Sequence, residues 1–249
     1  MLSQQQGLIH GITRRVQGAG LADGNVGYSA PRDRADAWSM RQRWMELAGV
    51  DSGSIVVAYQ THGSNSIAVN MSDAGKGAGP ESKPVGHADA LIVHEPGVVA
   101  MTLHADCMPV LLYDPVRQVA ATIHAGWRGT VADVVGSTVR EMNHQFGCEP
   151  SSILAYLGPA IGGCCYEVGA DVAGEWKNHG YQDGLVASAD RWRFDLAVAN
   201  RHLLLRTGLQ ESAIDESRIC TRCSGDEWFS HRGQGASTGR YGSFVALVK

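Results

Sequence analysis

The chain has 249 residues, of which 44% are hydrophobic and 18% are charged, and its formal net charge is −4. This composition is typical of a globular protein with a substantial core and excludes a coiled coil or a disordered chain. The sequence has no Lys/Arg-rich block of the kind that would indicate nucleic-acid binding. No apolar run approaches the ~20 residues of a membrane helix, and the N-terminus lacks the order of a signal peptide. We therefore expect a cytoplasmic protein with neither a membrane nor a nucleic-acid partner.

The first half of the chain is a series of strand-like segments with short turns. These segments cover residues 54–60, 65–70, 89–94, 98–104, 108–114 and 118–125. The first two are predicted to pair around a turn at His62–Gly63, and the last two around a turn at Asp114–Pro115. Residues 72–89 are rich in Gly, Pro and Ser, which predicts a mobile loop between strands.

Helices and strands alternate in the second half. Apolar residues at steps of three and four predict an amphipathic helix over 130–147 that ends at Gly147. Further helices are predicted over 170–180 and 194–208, and strands over 152–158 and 242–248. Because the order lacks a regular βαβ rhythm, we expect an α+β (mixed α/β) fold. Residues 1–249 would form a single layered domain with mixed sheets flanked by helices.

Two histidines and one cysteine lie at the ends of predicted strands: His62 in QTHG, Cys107 in HADCMP and His124 in IHAGWRG. Antiparallel pairing of the strands joined at Asp114–Pro115 brings Cys107 and His124 together. Two imidazoles and one thiolate form a known zinc set that leaves a fourth position open. A zinc ion there would lower the pKa of a bound water towards ~7 or polarise a substrate oxygen.

The same residues allow other interpretations. Cys107 and His124 could form a nucleophile and its base, with Asp106 or another group orienting the histidine. Each could also be a structural residue at a strand end. Thiolate and imidazole bind copper as well as zinc, although the lack of any His-x-His sequence argues against a multi-copper blue oxidase site. Alternation along a strand would place His104 and Asp106 on one face and Cys107 on the other. Asp106 and Cys107 can therefore face the same site only if the chain bends there.

Other polar segments are less specific. Cys220 and Cys223 have the spacing of a metal or redox motif but lack a second such pair. The zinc deaminase signature H-x-E…P-C-x-x-C is absent. The segment GPAIGG (158–163) could present backbone N–H groups to an anion or simply form a tight turn. Arg14, Arg128 and Arg240 lie in loop-like segments and could bind phosphate or remain solvated at the surface.

Six segments, in this order, resemble the YfiH/laccase-domain family, the polyphenol oxidoreductase-like purine nucleoside phosphorylases. The resemblance runs from about residue 8 to the C-terminus. The segments are QTHG (60–63), ADALIV (88–93), HADCMPVLL (104–112), IHAGWRGT (123–130), GPAIGGCCYEVG (158–169) and WFSHRGQGASTGR (228–240).

The resemblance implies a zinc enzyme with His62, Cys107 and His124 as metal ligands. The implied activity is phosphorolysis of adenosine, inosine and S-methyl-5′-thioadenosine, with adenosine deamination alongside. Its partners would be purine nucleosides and phosphate, and the chain would be a monomer or a small homo-oligomer. The Thr-Arg motif of the family falls on Thr13–Arg14 and its Gly-Arg motif on Gly239–Arg240. Family members usually continue Thr-Arg with two glycines, whereas this chain has TRRVQGAG, which leaves the N-terminal loop shape open.

For the two implied reactions we expect zinc, with Arg14 or Arg240, to gather the phosphate. Asp106 would transfer protons, or would instead orient His124 or a water molecule. The alternatives are a hydrolase that uses Cys107 as nucleophile with His124, and a copper-dependent polyphenol oxidoreductase.

Overall fold

The computed structural model describes residues 1–29, 32–188 and 190–248, and within them the chain forms thirteen strands and six α-helices. The strands are β1 (Leu8–Ile12), β2 (Ile55–Val56), β3 (Ser66–Val69), β4 (Ala90–Val93), β5 (Val99–His104), β6 (Met108–Asp114), β7 (Val119–Ala125), β8 (Leu154–Leu157), β9 (Glu167–Val168), β10 (Leu185–Ser188), β11 (Arg191–Phe194), β12 (Ile214–Glu216) and β13 (Tyr241–Leu247). The helices are α1 (Arg34–Ala48), α2 (Trp127–Val131), α3 (Val134–Phe146), α4 (Ala170–Asn178), α5 (Leu196–Arg206) and α6 (His231–Gln234).

Two large sheets pack face to face. One has four strands in the order β1-β13-β5-β2, and the other has six in the order β12-β8-β6-β7-β4-β3. Both contain parallel and antiparallel pairs, as the expected mixed sheets require. A third sheet, β10-β11-β9, is smaller. Among the described residues, no helix has the length and apolar character needed to cross a membrane.

Alternation along the strands explains the layers. In β6, Val110 and Leu112 face the core under helices α3 and α5, whereas Leu111 and Tyr113 face the core between the two large sheets. Helix α1 covers the outer face of the four-stranded sheet, where Met45 belongs to a separate apolar cluster. The fold is therefore the mixed α/β arrangement of sheets flanked by helices that the sequence predicts.

The predicted pairing of 54–60 with 65–70 is wrong. Strand β2 pairs with β5 in the four-stranded sheet, and β3 pairs with β4 in the six-stranded sheet. The chain after β2 pairs instead with the connection over 72–89: Val57 N–H donates to Lys76, Tyr59 N–H donates to Gly86, and Tyr59 C=O accepts from Ala88. The segment around His62 is consequently a crossing between two sheets and not a hairpin turn.

The helix predicted over 130–147 is two helices, α2 and α3. Asp133 separates them because it adopts a left-handed conformation with φ of 57°. Its carboxylate accepts the N–H of Gly136 at 3.1 Å and caps the first turn of α3. The predicted end at Gly147 is confirmed, since this residue has a φ of 67° at the C-cap.

The spacing of apolar residues does not predict helix α1, because an arginine occupies its buried face. Arg41 is only 1% exposed. Its guanidinium donates to the carbonyls of Val26, Gly77 and Ala78 and lies 4.0 Å from the ring centroid of Tyr28. Burial lowers the pKa of Arg41 to about 10, so the group remains a cation at neutral pH. This arginine fixes one wall of the cavity described below.

Candidate metal centre

His62, Cys107 and His124 meet at one end of the two packed sheets. His62 lies on the crossing from β2 to β3, and Cys107 lies on the crossing from β5 to β6. His124 is near the end of β7 and pairs with Pro109 at the start of β6. The potential ligand atoms of the three residues all lie within 4.8 Å of one another. The antiparallel β6–β7 pair thus brings Cys107 and His124 together, as the sequence predicts.

Asp89 organises two of these residues. Its Oδ1 accepts from Nδ1 of His124 and from the backbone N–H of His62, both at 2.9 Å. Its Oδ2 accepts the backbone N–H groups of Thr61 at 3.0 Å and Gly63 at 2.8 Å. His62 has a φ of 61°, which is uncommon for a residue with a side chain, and these bonds hold the strained turn in place.

The sequence argument missed Asp89 as a functional residue, although ADALIV was recognised as a segment. An acidic side chain directly before a fully buried strand is a usable signal, because such a carboxylate requires several donors. Asp89 is fully buried. The carboxylate that orients His124 is therefore Asp89, and the alternative role of Asp106 as the orienting group is wrong for that bond.

Cys107, His124 and Asp89 shift one another's pKa values. Burial opposes ionisation of Cys107, but His124 and His62 outweigh it and lower the pKa of the thiol to about 6. Burial alone would lower the pKa of His124, whereas Cys107 and Asp89 raise it to about 9. Burial likewise opposes ionisation of Asp89, yet hydrogen bonds from His124 and Gly63 lower its pKa to about 2. A thiolate ligand is consequently available at neutral pH.

The donor set fits a zinc ion. Zinc lies ~2.0–2.1 Å from imidazole nitrogen and ~2.3 Å from thiolate sulfur in a tetrahedral arrangement, so two ligand atoms on one ion are ~3.3–3.6 Å apart. The observed atoms lie within 4.8 Å of one another, which small side-chain rotations reduce. The bond from Nδ1 of His124 to Asp89 leaves Nε2 for the ion, a common arrangement around zinc.

Gly126 allows the backbone before α2 to approach these ligands. A Cβ atom at this position would lie 2.8 Å from the sulfur of Cys107 and 3.2 Å from Cδ2 of His62. The φ of Gly126 is −79°, so backbone conformation does not require glycine here. Glycine is required because there is no space for a side chain beside the thiolate, and this explains the first glycine in IHAGWRG.

Asp106 lies beside the cluster in the expected bend, with a φ of 83°. Its Oδ1 accepts from the hydroxyl of Thr221 at 2.7 Å, and its Oδ2 accepts the backbone N–H of Arg232 at 2.6 Å. Its own carbonyl accepts the N–H of Ile161 at 2.9 Å. Both carboxylate oxygens thus have a hydrogen-bond donor, and the two bonds fix the orientation of the carboxylate beside the cluster.

His104 lies outside the ligand set. It is buried, and its Nδ1 donates to the carbonyl of Cys107 at 3.2 Å. Its Nε2 accepts from the hydroxyls of Thr102 at 2.9 Å and Ser243 at 3.0 Å. Burial and the nearby His124 hold the pKa of His104 well below its usual value. The neutral ring therefore supports the backbone of Cys107 from the core.

The cluster opens onto a cavity of about 760 Å³, a size typical of small-molecule sites. Four aromatic rings line the cavity: Tyr28, Tyr59, Trp127 and Tyr166. Four guanidinium groups also line it: Arg34, Arg41, Arg232 and Arg240. Against these four cations, the described wall of the cavity contains one acidic residue, Asp106. The excess of positive charge favours an anionic ligand or ligand group.

The structure separates the three arginines singled out from the sequence. Arg240 lines the cavity, and its Nη1 donates to the carbonyls of Thr238 and Gly239, both at 2.8 Å. Arg14 is exposed, pairs with Glu227 at 3.4 Å and is absent from the described cavity wall. Arg128 is exposed and stacks on Trp127. Sequence reasoning missed Arg34 and Arg41, which no motif marks, and also Arg232, although this residue lies in the segment WFSHRGQGASTGR.

The Thr-Arg and Gly-Arg motifs of the resemblance each include a residue with a structural role. The hydroxyl of Thr13 accepts the N–H of Gly242 at 2.8 Å and joins the end of β1 to β13. A Cβ atom at Gly239 would lie 2.5 Å from the ring of Phe229. In the loop TRRVQGAG, the guanidinium of Arg15 pairs with Asp23 at 2.7 Å and closes the loop.

The segment GPAIGG is not a free anion site. The N–H of Gly158 donates to Pro109, and the N–H of Ala160 donates to Ile219. The N–H of Ile161 donates to Asp106, and the N–H of Gly162 donates to the sulfur of Cys220. These donors are already used within the protein, so the segment acts as a tight connection between neighbouring loops.

Comparisons with known proteins agree with this geometry. A family model described as "Multi-copper polyphenol oxidoreductase laccase" matches residues 9–248. The chain is 31% identical over 226 residues to "Purine nucleoside phosphorylase YlmD" of Bacillus subtilis, covering 90% of this chain and 81% of that protein. It is 33% identical over 196 residues to "Adenosine deaminase RL5" from an unknown prokaryotic organism, covering 77% and 74%.

The crystal structure of YlmD from Geobacillus stearothermophilus superimposes with a TM-score of 0.93 at 31% identity, covering 98% of this chain and 93% of that one. The fold, the order of motifs and the family match all lead to one assignment. This chain belongs to the multi-copper polyphenol oxidoreductase laccase (YfiH) family.

Proposed function

We propose that this chain is a zinc-dependent purine nucleoside phosphorylase that acts on adenosine, inosine and S-methyl-5′-thioadenosine, with adenosine deaminase activity. The observation that carries this proposal is the His62, Cys107 and His124 cluster at the wall of a cavity with aromatic and guanidinium groups. The relatives named purine nucleoside phosphorylase and adenosine deaminase support both activities. Zinc is preferred because two imidazoles and a thiolate with an open fourth position form a known catalytic zinc set.

The cavity provides for both parts of a nucleoside and for phosphate. The rings of Tyr28, Tyr59 and Tyr166 offer apolar faces on which a purine base can stack. Arg232 and Arg240 offer planar groups that match two phosphate oxygens at once. We assign phosphate to Arg240 rather than Arg14, because only Arg240 of these two lies in the described cavity wall.

A zinc ion held by His62, Cys107 and His124 would supply a Lewis acid and would lower the pKa of a water molecule. Asp89 keeps His124 and the turn at His62 in position for this task. In phosphorolysis an oxygen of hydrogen phosphate forms a bond to C1′ while the bond from C1′ to the base nitrogen breaks, and the proton that hydrogen phosphate loses passes to the base. In deamination water adds at C6 of the purine and ammonia leaves.

We assign proton transfer in these reactions to Asp106. This carboxylate lines the cavity and is held by Thr221 and the N–H of Arg232. An asparagine keeps both bonds, since its oxygen can accept from Arg232 while its amide donates to the Thr221 hydroxyl. Asp106→Asn should therefore preserve the fold and reduce kcat about 100-fold or more if the group transfers protons.

Thr221→Val serves as the comparison for Asp106→Asn because it removes one supporting bond and leaves the carboxylate in place. We expect a smaller loss of kcat with an unchanged pH profile. Wild-type rates of both reactions in Asp106→Asn would exclude the proton-transfer role and leave Asp106 as a positioning residue.

The direct test incubates the purified protein with adenosine and phosphate and separates the products by chromatography. Adenine with ribose 1-phosphate reports phosphorolysis, and inosine reports deamination. Inosine and S-methyl-5′-thioadenosine are assayed in the same way. In the Cys107→Ala variant, the activity and the amount of bound zinc should fall together. A zinc-loaded protein that forms no product from any of the three nucleosides would exclude the proposed function.

A second candidate, a hydrolase with Cys107 as nucleophile, is favoured by one observation. Cys107, His124 and Asp89 form a chain in which the carboxylate orients the histidine beside the thiol. Metal-free protein with full activity, abolished by alkylation of Cys107, would favour this candidate. Copper bound in place of zinc, with oxidation of a polyphenol, would favour the oxidoreductase that the family description names.

A further inference from the structure

Four cysteines form a second cluster, built from two separate segments. Cys164 and Cys165 follow GPAIGG before β9, and Cys220 and Cys223 lie between β12 and α6. Their sulfur atoms all lie within 4.8 Å of one another. The sulfur of Cys223 is 3.4 Å from that of Cys165 and 3.8 Å from that of Cys164. The adjacent pair thus supplies the second half that the Cys-x-x-Cys motif lacks in the sequence.

We propose that these four cysteines bind a second zinc ion with a structural role. Four thiolates at ~2.3 Å from a tetrahedral zinc lie ~3.8 Å from one another, close to the two separations given above. Four protein ligands leave no open coordination position, which is the pattern of a structural and not a catalytic zinc. This inference is independent of the proposed nucleoside chemistry, because it concerns other residues and another ion.

The sulfur arrangement favours one metal ion over disulfide bonds or a cluster. A disulfide requires ~2.05 Å between sulfurs, and neighbouring cysteines cannot bridge without distortion. The shorter of the two separations given above, between Cys165 and Cys223, is 3.4 Å. In an iron–sulfur cluster the thiolates are distributed over several iron atoms, whereas these four sulfurs all lie within 4.8 Å of one another.

Backbone hydrogen bonds align the two cysteine segments before any metal binds. The N–H of Gly162 donates to the sulfur of Cys220 at 3.3 Å. On either side of Cys220, the N–H of Ala160 donates to Ile219 and the N–H of Thr221 donates to Ala160. N–H groups directed at thiolates stabilise their negative charge, as they do around structural zinc sites.

The second ion would also support the candidate metal centre. Thr221 lies between the ligands Cys220 and Cys223, and its hydroxyl donates to Asp106 at 2.7 Å. Ile161 precedes the ligand Cys164 by three residues and donates its N–H to the Asp106 carbonyl. A zinc ion that joins these segments would therefore fix Asp106 from two sides. We regard the four cysteines as positioning residues for the cavity wall.

The test counts zinc by mass spectrometry in purified full-length protein and compares three variants. Wild-type protein should carry two zinc ions per chain. Cys107→Ser should keep one, and Cys223→Ser should keep the other. Cys148→Ser is the matched control, because Cys148 is buried and belongs to neither cluster; it should keep both ions.

X-ray absorption at the zinc edge of Cys107→Ser then identifies the ligands of the remaining ion. We expect a shell of four sulfur atoms at ~2.3 Å without imidazole scattering. This measurement stands even if Cys223→Ser fails to fold. One zinc in wild type and none in Cys107→Ser would overturn the proposal, as would iron in place of zinc or a disulfide among the four cysteines. Loss of nucleoside turnover with two bound zinc ions would contradict only the proposed function.

Discussion

One oxygen atom of Asp89 binds both the side chain of His124 and the backbone of His62. The distances from Oδ1 to Nδ1 of His124 and to the N–H of His62 are both 2.9 Å. His62 lies on the crossing between the two large sheets and His124 lies in the six-stranded sheet, and this buried carboxylate joins them. The arrangement fixes the ring of one proposed ligand and the backbone of another before a metal ion binds, which lowers the cost of ordering them.

Asp89→Asn should therefore weaken zinc binding. Asparagine has one acceptor oxygen where Asp89 uses two, so at least one donor of the His62 turn loses its partner. We expect zinc affinity at the His62, Cys107 and His124 site to fall about 10- to 100-fold, the range found for residues that orient metal ligands. Competition with a chromogenic chelator measures this change.

Asp51→Asn is the control for that experiment. Asp51 is exposed and caps a short 3-10 helix, and asparagine caps equally well. Its zinc affinity should match wild type. If Asp89→Asn also retained wild-type affinity, the carboxylate would have no role in metal binding.

Arg240 and Arg14 provide a direct comparison of two arginines that the sequence could not separate. Arg240→Met removes a cation from the cavity wall, whereas Arg14→Met removes one from the surface. Because hydrogen bonds to charged groups contribute ~1.5–3 kcal/mol, we expect the KM for phosphate to rise about tenfold or more in Arg240→Met. The KM for the nucleoside should change less.

In Arg14→Met both KM values should remain near wild type, since its exposed pair with Glu227 contributes little. Steady-state assays at varied phosphate concentration give these values. An increase in the KM for phosphate in Arg14→Met equal to that in Arg240→Met would contradict the assignment of phosphate to the cavity arginines.

Sequence reasoning succeeded where local pattern and structure agree. The β6–β7 pair follows from two apolar segments and a turn, and it alone places Cys107 beside His124. Sequence reasoning failed for the pairing after β2, because the competing partner is a loop with no strand pattern. It also missed Arg41 and Asp89, since the reasons for burying these charges are hydrogen-bond partners from distant segments. The four-cysteine cluster was missed because its halves lie more than fifty residues apart.

Alkylation of Cys107 should report whether metal occupies the first site. In metal-depleted protein its pKa is about 6, so iodoacetamide should react rapidly at pH 7 and lose reactivity as the pH falls below about 6. Zinc should protect the thiolate. Cys148 is the internal comparison, because burial raises its pKa to about 12 and it should remain unmodified.

Peptide mapping by mass spectrometry gives the extent of modification at each cysteine. Equal modification of Cys107 with and without zinc would contradict its role as a ligand. Modification of the zinc-loaded protein at Cys107 would then favour the hydrolase with a cysteine nucleophile.

Gly126→Ala tests the need for space at the first site without changing any proposed ligand. The added methyl group would lie 2.8 Å from the Cys107 sulfur and 3.2 Å from the His62 ring, so one ligand must shift. The backbone conformation of residue 126 is open to alanine, with φ of −79° and ψ of 174°. We expect weaker zinc binding at this site, while the fold remains intact and the four-cysteine cluster is unaffected. Gly174→Ala in helix α4 is the matched control, because no atom lies within 4 Å of its added methyl group and alanine favours helix by ~1 kcal/mol. Zinc titration and thermal unfolding of both variants provide the comparison, and wild-type zinc affinity in Gly126→Ala would show that the ligands do not need the present spacing.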